Sequence, residues 1–139
     1  MSFDRRIVFD TGVLVSAALR PASVPALALE KGFLNFDVCV SKPTLDELCE
    51  VLMRKKFAAY APELARRQFL AGLTERAIKL SVHSRVSDCV DEKDNKFLEL
   101  ALDCEAELIV ASDAHLTTLH PWHNIPIMPP SAFLVGVRG

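Results

Sequence analysis

The sequence has 139 residues, of which 50% are hydrophobic and 24% are charged, a composition typical of a globular chain that folds around one core. We therefore expect a single domain spanning residues 1–139. The formal net charge of −2 excludes a protein covered in positive potential, so binding of nucleic acid would require a local basic patch.

The N-terminal stretch has some features of an export signal, because Arg5 and Arg6 precede a run of hydrophobic residues. Asp10 interrupts that run, which disfavours a signal peptide. No stretch approaches the roughly 18 uninterrupted apolar residues that a membrane span needs. We therefore expect a cytoplasmic protein without a membrane segment.

The cysteines show no C-x-x-C pairing and lie in apolar or helical segments. They are Cys39, Cys49, Cys89 and Cys104. This pattern favours buried free thiols in a reducing compartment over a zinc site or a disulfide framework.

The first half of the chain alternates strands and helices. The stretch "RRIVFD" predicts a buried strand, and "GVLVSAALRP" predicts a helix that Pro21 ends. A second helix, "SVPALALEKG", is predicted between an N-cap at Ser23 and a stop at Gly32, and "FDVCV" is a second strand. The apolar spacing in "SKPTLDELCEVLMRKKF" predicts a helix from about Thr44 to Phe57.

The second half continues the alternation. The stretches "PELARRQFLAGLTERAIKL" and "DNKFLELALDCE" each predict a helix, and "ELIVAS" predicts a strand. A short helical turn over "DAHLTTLH", a strand over "IPIM" and a terminal helix over "SAFLVGV" follow. This order indicates a mainly parallel sheet with helices covering both of its faces.

Four acids far apart in the sequence are predicted to converge at the carboxyl edge of this sheet, where ligands of such folds bind. Asp10 directly follows the strand "IVF", and Asp113 follows "LIVAS". Glu47 lies in the first turn of the helix after the second strand, and Asp94 begins the helix that precedes "ELIVAS". Such a group of carboxylates would repel itself unless cations occupied it.

Each acid also has a structural explanation. Glu47 and Thr44 fit a T-x-x-E capping box, and Asp94 fits a helix N-cap. Asp113 fits a cap of the turn that begins at Ala114, and Asp10 fits a cap of "GVLVSAAL". The four together favour a metal site. Hard oxygen ligands without neighbouring cysteine or histidine favour Mg²⁺ or Mn²⁺, and the corresponding chemistry is phosphodiester hydrolysis.

Four segments carry a resemblance to a known family. The segments "VFDTGVLVSAAL", "SKPTLDELCEVLMRKKF", "VDEKDNKFLELALDCEAELIVASD" and "IPIMPPSAFL" resemble successive blocks of the PIN-domain nucleases, in particular the toxins of toxin-antitoxin pairs. The resemblance implies a three-layer α/β/α sandwich around a mainly parallel sheet. It also implies a Mg²⁺- or Mn²⁺-dependent endoribonuclease that cuts single-stranded RNA to leave a 5′-phosphate and a 3′-hydroxyl, a homodimer, and an antitoxin partner.

The resemblance also implies roles for individual residues. Four positions match the acidic quartet of the family: Asp10, Glu47, Asp94 and Asp113. Three of these would hold metal directly or through water, and Glu47 would orient a metal-bound water. Thr11 and Ser112 match polar residues that support the acids, and Asp91 is a candidate accessory acid whose alternative role is that of a solvated turn residue.

Two positions depart from the family pattern. Gly12 stands where the family commonly has an asparagine, which removes an amide that would fix the first acid. The stretch "ASDAHL" lacks the glycine that often precedes the last acid. The first departure keeps a second hypothesis open, a catalytically weak or inactive PIN-like module that binds RNA or a protein. A third class, other Asp-dependent phosphoryl-transfer enzymes, lacks its expected second acid, because that position is Gly12.

The histidines and the single tryptophan are weaker candidates. His120 and His123 form an H-x-x-H pattern, but the intervening Pro121 makes a surface loop the better interpretation, and His83 has no ligand partner in sequence. His115 follows Asp113 closely enough to contact a substrate phosphate. Trp122 fits either base stacking or packing.

Basic residues cluster around the turn between two predicted helices. They are Arg54, Lys55, Lys56, Arg66 and Arg67. They are candidates for steering RNA, and a solvated face with favourable helix-end charges is the alternative.

Overall fold

The computed structural model describes residues 4–136 and contains a five-stranded sheet. Its strands are β1 (Arg6–Phe9), β2 (Asp37–Ser41), β3 (Ile78–Leu80), β4 (Leu108–Val110) and β5 (Ile127–Met128). The spatial order is β3-β2-β1-β4-β5, and all four pairings are parallel. The carboxyl ends of β1 and β4 are therefore neighbours, because Phe9 pairs with Val110.

Helices connect the strands. They are α1 (Thr11–Leu19), α2 (Val24–Asn35), α3 (Lys42–Leu52), α4 (Glu63–Arg76), α5 (Asn95–Asp103), α6 (Ala114–Thr117) and α7 (Pro130–Gly136). Short 3₁₀ helices span Lys55–Ala59 and Glu92–Asp94.

The sheet is covered on both faces because alternate side chains of each strand point to opposite sides. Ile7 and Phe9 of β1 pack into a core shared with α1, α2, α3, α4 and α7. Val8, between them, packs into a second core with α5 and α6. The predicted α/β/α architecture around a parallel sheet is confirmed.

The predicted helix from Thr44 to Phe57 differs from α3 at both ends. The helix begins at Lys42, because Ser41 is its N-cap and its hydroxyl accepts from the Thr44 amide. It ends at Leu52, whose carbonyl accepts a hydrogen bond from the Arg66 guanidinium at 3.0 Å. A tertiary contact therefore ends the helix where the local pattern would continue it.

Two other element boundaries also differ from the prediction. The helix predicted through "TERAIKL" ends at Arg76, and Ile78–Leu80 forms the edge strand β3. Gly32 does not stop α2, which continues to Asn35. A Cβ at Gly32 would lie 2.6 Å from Cζ of Phe9, so this glycine allows α2 to pack closely on the sheet.

The predicted buried thiols are found at Cys39, Cys89 and Cys104, whereas Cys49 is exposed on α3. Within residues 4–136, no single helix has the length and apolar character to cross a membrane. Helices α1 and α2 have that length and apolar character only when they are counted together, and the chain bends by 109° between them.

Candidate metal centre at the carboxyl edge of the sheet

Asp10 lies at the end of β1 and is almost completely buried. Its Oδ1 accepts from the Val13 amide at 2.9 Å, which caps α1. Its Oδ2 accepts from the amides of Ser112 at 3.0 Å and Asp113 at 3.2 Å. Burial raises the pKa of the Asp10 carboxyl, and the three amide hydrogen bonds oppose that rise. This carboxylate ties the segments after β1 and β4 together.

Asp113 follows β4 and caps the short helix α6, so the capping role that the sequence suggested for it is found in the structure. Its Oδ1 accepts from the His115 amide at 2.8 Å. The His115 Nδ1 lies 3.5 Å from the same oxygen. The adjacent Asp94 carboxyl, the largest influence, lowers the pKa of Asp113.

Asp94 ends the 3₁₀ turn before α5 and is 8% exposed. Its Oδ2 is buried and has no hydrogen-bond partner among residues 4–136. Burial, followed by the neighbouring Asp113 carboxylate, raises the pKa of Asp94 to about 7. An unpartnered buried carboxylate oxygen is costly, because its desolvation is not compensated.

Four side chains come close enough to share one ion. One ligand atom from each of Asp91, Asp94, Asp113 and His115 lies within 4.8 Å of the others. Asp91 also caps the 3₁₀ turn, since its Oδ1 accepts from the Lys93 amide at 3.1 Å. Asp91 is thus both a turn residue and a member of this close group.

Glu47 is not a capping residue, which corrects the proposed T-x-x-E box. The capping box of α3 is formed by Ser41 and Thr44 instead. Glu47 accepts a hydrogen bond from Thr11 Oγ1 at 2.5 Å and pairs with Lys96 Nζ at 2.6 Å.

Gly12 and Ser112 also adjoin the acids. A Cβ at Gly12 would collide with the Ser112 hydroxyl. The missing asparagine amide does not leave Asp10 unsupported, because backbone amides hold both oxygens of Asp10.

All of the predicted site residues line one cavity of about 290 Å³, which we call the acid cavity. Its lining comprises Asp10, Thr11, Gly12, Glu47, Asp91, Lys93, Asp94, Phe97, Ser112 and Asp113. Asp10 and Glu47 border this cavity but do not belong to the close group of four. Sequence reasoning missed Lys96, because its role depends on the contact between α5 and Glu47 of α3.

The remaining candidates have structural partners. His120 Nδ1 accepts from the Ile127 amide at 2.9 Å, and His123 lies 3.9 Å from Asp88. Trp122 is buried, and its indole donates to Asp88 at 2.9 Å, which supports packing over base stacking. The H-x-x-H pattern is therefore part of a packed loop.

The donor set fits a hard divalent cation. It is dominated by carboxylate oxygens, with one imidazole, and it includes the unpartnered Oδ2 of Asp94. Oxygen-rich sites of this kind suit Mg²⁺ or Mn²⁺. A cation would also offset the burial and the repulsion from Asp113 that raise the pKa of Asp94.

Comparisons with known proteins cover most of the chain. The family model for the PIN domain matches residues 6–115, a range that contains every acid of the cavity. An uncharacterised protein of Methanocaldococcus jannaschii is 27% identical over 116 residues, which is 82% of this chain and 74% of that protein. The fold is similar to that in the crystal structure of VapBC2 from Rickettsia felis bound to a DNA fragment from their promoter. That match has a TM-score of 0.60 and 14% identity, and it covers 88% of this chain and 96% of the other.

Proposed function

The chain belongs to the PIN domain family, and we propose that it is a Mg²⁺- or Mn²⁺-dependent endoribonuclease that hydrolyses single-stranded RNA. The observation that carries this proposal is the buried, unpartnered Oδ2 of Asp94 beside the Asp113 carboxylate. A purely structural acid would have acquired a donor or been replaced by an amide, since the arrangement costs stability. The cost is explained if the folded protein binds a cation there.

The proposed ligands are Asp94 and Asp113, with Asp10 bordering the same cavity and Asp91 and His115 available on its outer side. Asp10 positions Asp113 by accepting a hydrogen bond from its backbone amide. A divalent cation bound there would activate water and neutralise charge on the scissile phosphate.

Glu47 would orient the attacking water, because its carboxylate borders the cavity and is held by two donors. Thr11 and Lys96 fix that carboxylate in position. The noncatalytic alternative rested on Gly12, and the amide contacts of Asp10 supply the support that an asparagine would have given. These contacts favour the enzyme over the binding module.

The biological setting follows from the same resemblance. We propose that the protein is a cytoplasmic toxin of a toxin-antitoxin pair, forms a homodimer and is neutralised by an antitoxin. The similarity in fold to Rickettsia felis VapBC2 supports this setting.

The test combines metal binding with cleavage. Titration calorimetry with Mn²⁺ should show saturable binding to the parent and at least tenfold weaker binding to Asp94→Asn. Cleavage of a single-stranded RNA should fall at least about 100-fold in the same variant. Glu75→Gln, at an exposed acid of α4 that does not line the acid cavity, is the control and should retain both properties. Equal cleavage by Asp94→Asn and the parent would refute the site.

A further inference from the structure

The basic residues that the sequence grouped near the α3–α4 turn are largely engaged in the structure. Arg66 is buried, and its guanidinium donates to backbone carbonyls, including that of Leu52. Arg54 pairs with Glu50 at 2.9 Å, and Arg67 pairs with the glutamate four residues before it. Lys55 and Lys56 are the members of this cluster that form no ion pair with residues 4–136, and neither of them lines the acid cavity.

Free cations also occur beside the acid cavity, in a groove that we call the basic groove. It consists of two adjoining cavities of about 440 and 540 Å³, which share Arg85 and Glu99. Its charged residues are Lys42, Lys79, Arg85, Glu92, Lys96 and Glu99. It lies where β2 and β3 end, on the same edge of the sheet as the acids.

Two of these cations have no competing partner. Lys79 and Arg85 are exposed, and neither forms a hydrogen bond or ion pair with any residue between 4 and 136. Lys42 pairs with Asp46 in a highly exposed pair, which contributes little. Glu99 already accepts from the Val86 amide at 3.0 Å. The lining of the groove carries four cations and two acids, so it is richer in positive charge than the chain as a whole, whose formal net charge is −2.

Lys96 joins the groove to the acid cavity. Its side chain lines the groove, while its Nζ binds Glu47, which lines the cavity. A chain of phosphates leaving the cavity on this side would pass Lys96 and then reach Arg85 and Lys79.

The geometry points to the basic groove as the binding site for the phosphates of the RNA strand on one side of the cleaved bond. This inference rests on the proposed nuclease function. The acid cavity, at about 290 Å³, is much smaller than an oligonucleotide, so flanking nucleotides must lie on adjoining surface. Phosphates bind where unpaired Lys and Arg side chains are available, and they release counterions there.

A second groove that adjoins the acid cavity, which we call the apolar groove, is less suited to phosphates. It has a volume of about 690 Å³ and adjoins the acid cavity through Thr11, Gly12 and Ser112. Among residues 4–136, Arg20 is the only charged residue in its lining, which is otherwise mainly apolar.

The experiment compares two double variants that remove the same charge. Lys79→Gln with Arg85→Gln alters the basic groove, and Lys55→Gln with Lys56→Gln alters exposed cations outside it. Binding of a fluorescent 12-nucleotide single-stranded RNA is measured by anisotropy in EDTA, between 50 and 200 mM NaCl. We expect the groove variant to bind about tenfold more weakly at the lowest salt and to lower the salt slope by about 1.4, as two lost phosphate contacts require. The control variant should keep the parental slope.

Substrate length gives a second readout. With the 12-nucleotide RNA and Mn²⁺, the groove variant should raise KM about tenfold at unchanged kcat, whereas with a trinucleotide it should match the parent. Affinity and slope equal to those of the parent would overturn the groove assignment while cleavage by the parent still supported the nuclease. A loss of affinity in Arg20→Gln, without one in the groove variant, would place the strand in the apolar groove. A parent that neither binds nor cuts RNA would overturn both proposals.

Discussion

Gly12 and Ser112 are in close contact at the edge of the acid cavity. A Cβ at Gly12 would collide with the Ser112 hydroxyl but would lie 3.7 Å from the Ser112 Cβ, which is ordinary contact. From the sequence, Gly12 is a departure from the family pattern, whereas Ser112 matches a polar residue of that pattern. Their contact indicates that the absence of a side chain at position 12 is coupled to the hydroxyl of Ser112.

Gly12→Ala should therefore destabilise the protein by about 1 kcal/mol, because the Ser112 hydroxyl has to leave its present rotamer. Ser112→Ala in the same chain should restore most of that loss by removing the hydroxyl. The measurement is urea unfolding of the two single variants and the double variant, from which a coupling energy is calculated. Gly72→Ala is the control, because nothing lies within 4 Å of a Cβ there and alanine favours the helix. Additive effects at Gly12 and Ser112 would contradict the coupling.

The acids could be identified from sequence because each has a local signature. Asp10 and Asp113 follow buried strands, and that placement predicts the carboxyl edge of a parallel sheet. From the sequence, Asp91 and His115 were only accessory candidates, and Lys96 was not identified. Their approach depends on the 3₁₀ turn before α5 and on the short helix α6, which fix side chains whose local patterns are those of ordinary surface residues.

At the scale of elements, the helices and strands that follow from local apolar periodicity could be predicted from the sequence. The element boundaries that depend on contacts between distant segments could not. The existence of α5 and β4 follows from local apolar patterns. The end of α3 depends on Arg66, a residue of α4. The strand β3 has three residues and forms by pairing with β2. Its short apolar pattern in the sequence is equally compatible with the end of a helix.

The Lys96–Glu47 pair links α5 to α3 at the acid cavity, and both side chains are about one-fifth exposed. Lys96→Met should lower kcat by about 10- to 100-fold, because it removes a donor that orients Glu47. We expect KM for a trinucleotide to change little and Lys96→Arg to recover part of the rate. Steady-state cleavage kinetics of the three proteins provide the measurement.

Arg54→Gln is the matched control for this element contact, since it breaks an exposed ion pair on α3 without touching the cavity. Such pairs contribute at most about 1 kcal/mol to stability. If Lys96→Met and Arg54→Gln had the same cleavage rate, Lys96 would have no positioning role.

At the scale of the whole molecule, the site gathers residues from segments that lie far apart in the chain. Asp10 follows β1, Glu47 lies on α3, and Asp94 and Asp113 flank α5 and β4. The sequence predicted a parallel sheet, but the order β3-β2-β1-β4-β5 came from the structure. That order places β1 beside β4 and so brings their terminal acids together. Binding of a cation would therefore stabilise the fold as a whole.

The metal-free protein should lose stability as pH rises, because of Asp94. Its folded pKa is raised from the ordinary value of 3.8 to about 7. Below pH 3.8 the group is protonated in both the folded and the unfolded chain, and its ionisation has no effect on stability. Between about pH 4 and 7 the unfolded chain releases the proton that the folded protein retains, so the free energy of unfolding falls across this window. Asp94→Asn should flatten this decline in urea unfolding measured from pH 4 to 8 in EDTA.

Mn²⁺ should reverse the loss in the parent at pH 8, because a ligand that binds only the folded state stabilises it by mass action. At a concentration of 100 times Kd the expected gain is about 2.7 kcal/mol. Asp94→Asn, which is the more stable protein without metal, should gain much less, so Mn²⁺ should narrow or invert the difference between the two. Chelation with EDTA should restore the original order. An equal gain in both proteins would show that the stabilising cation binds away from Asp94.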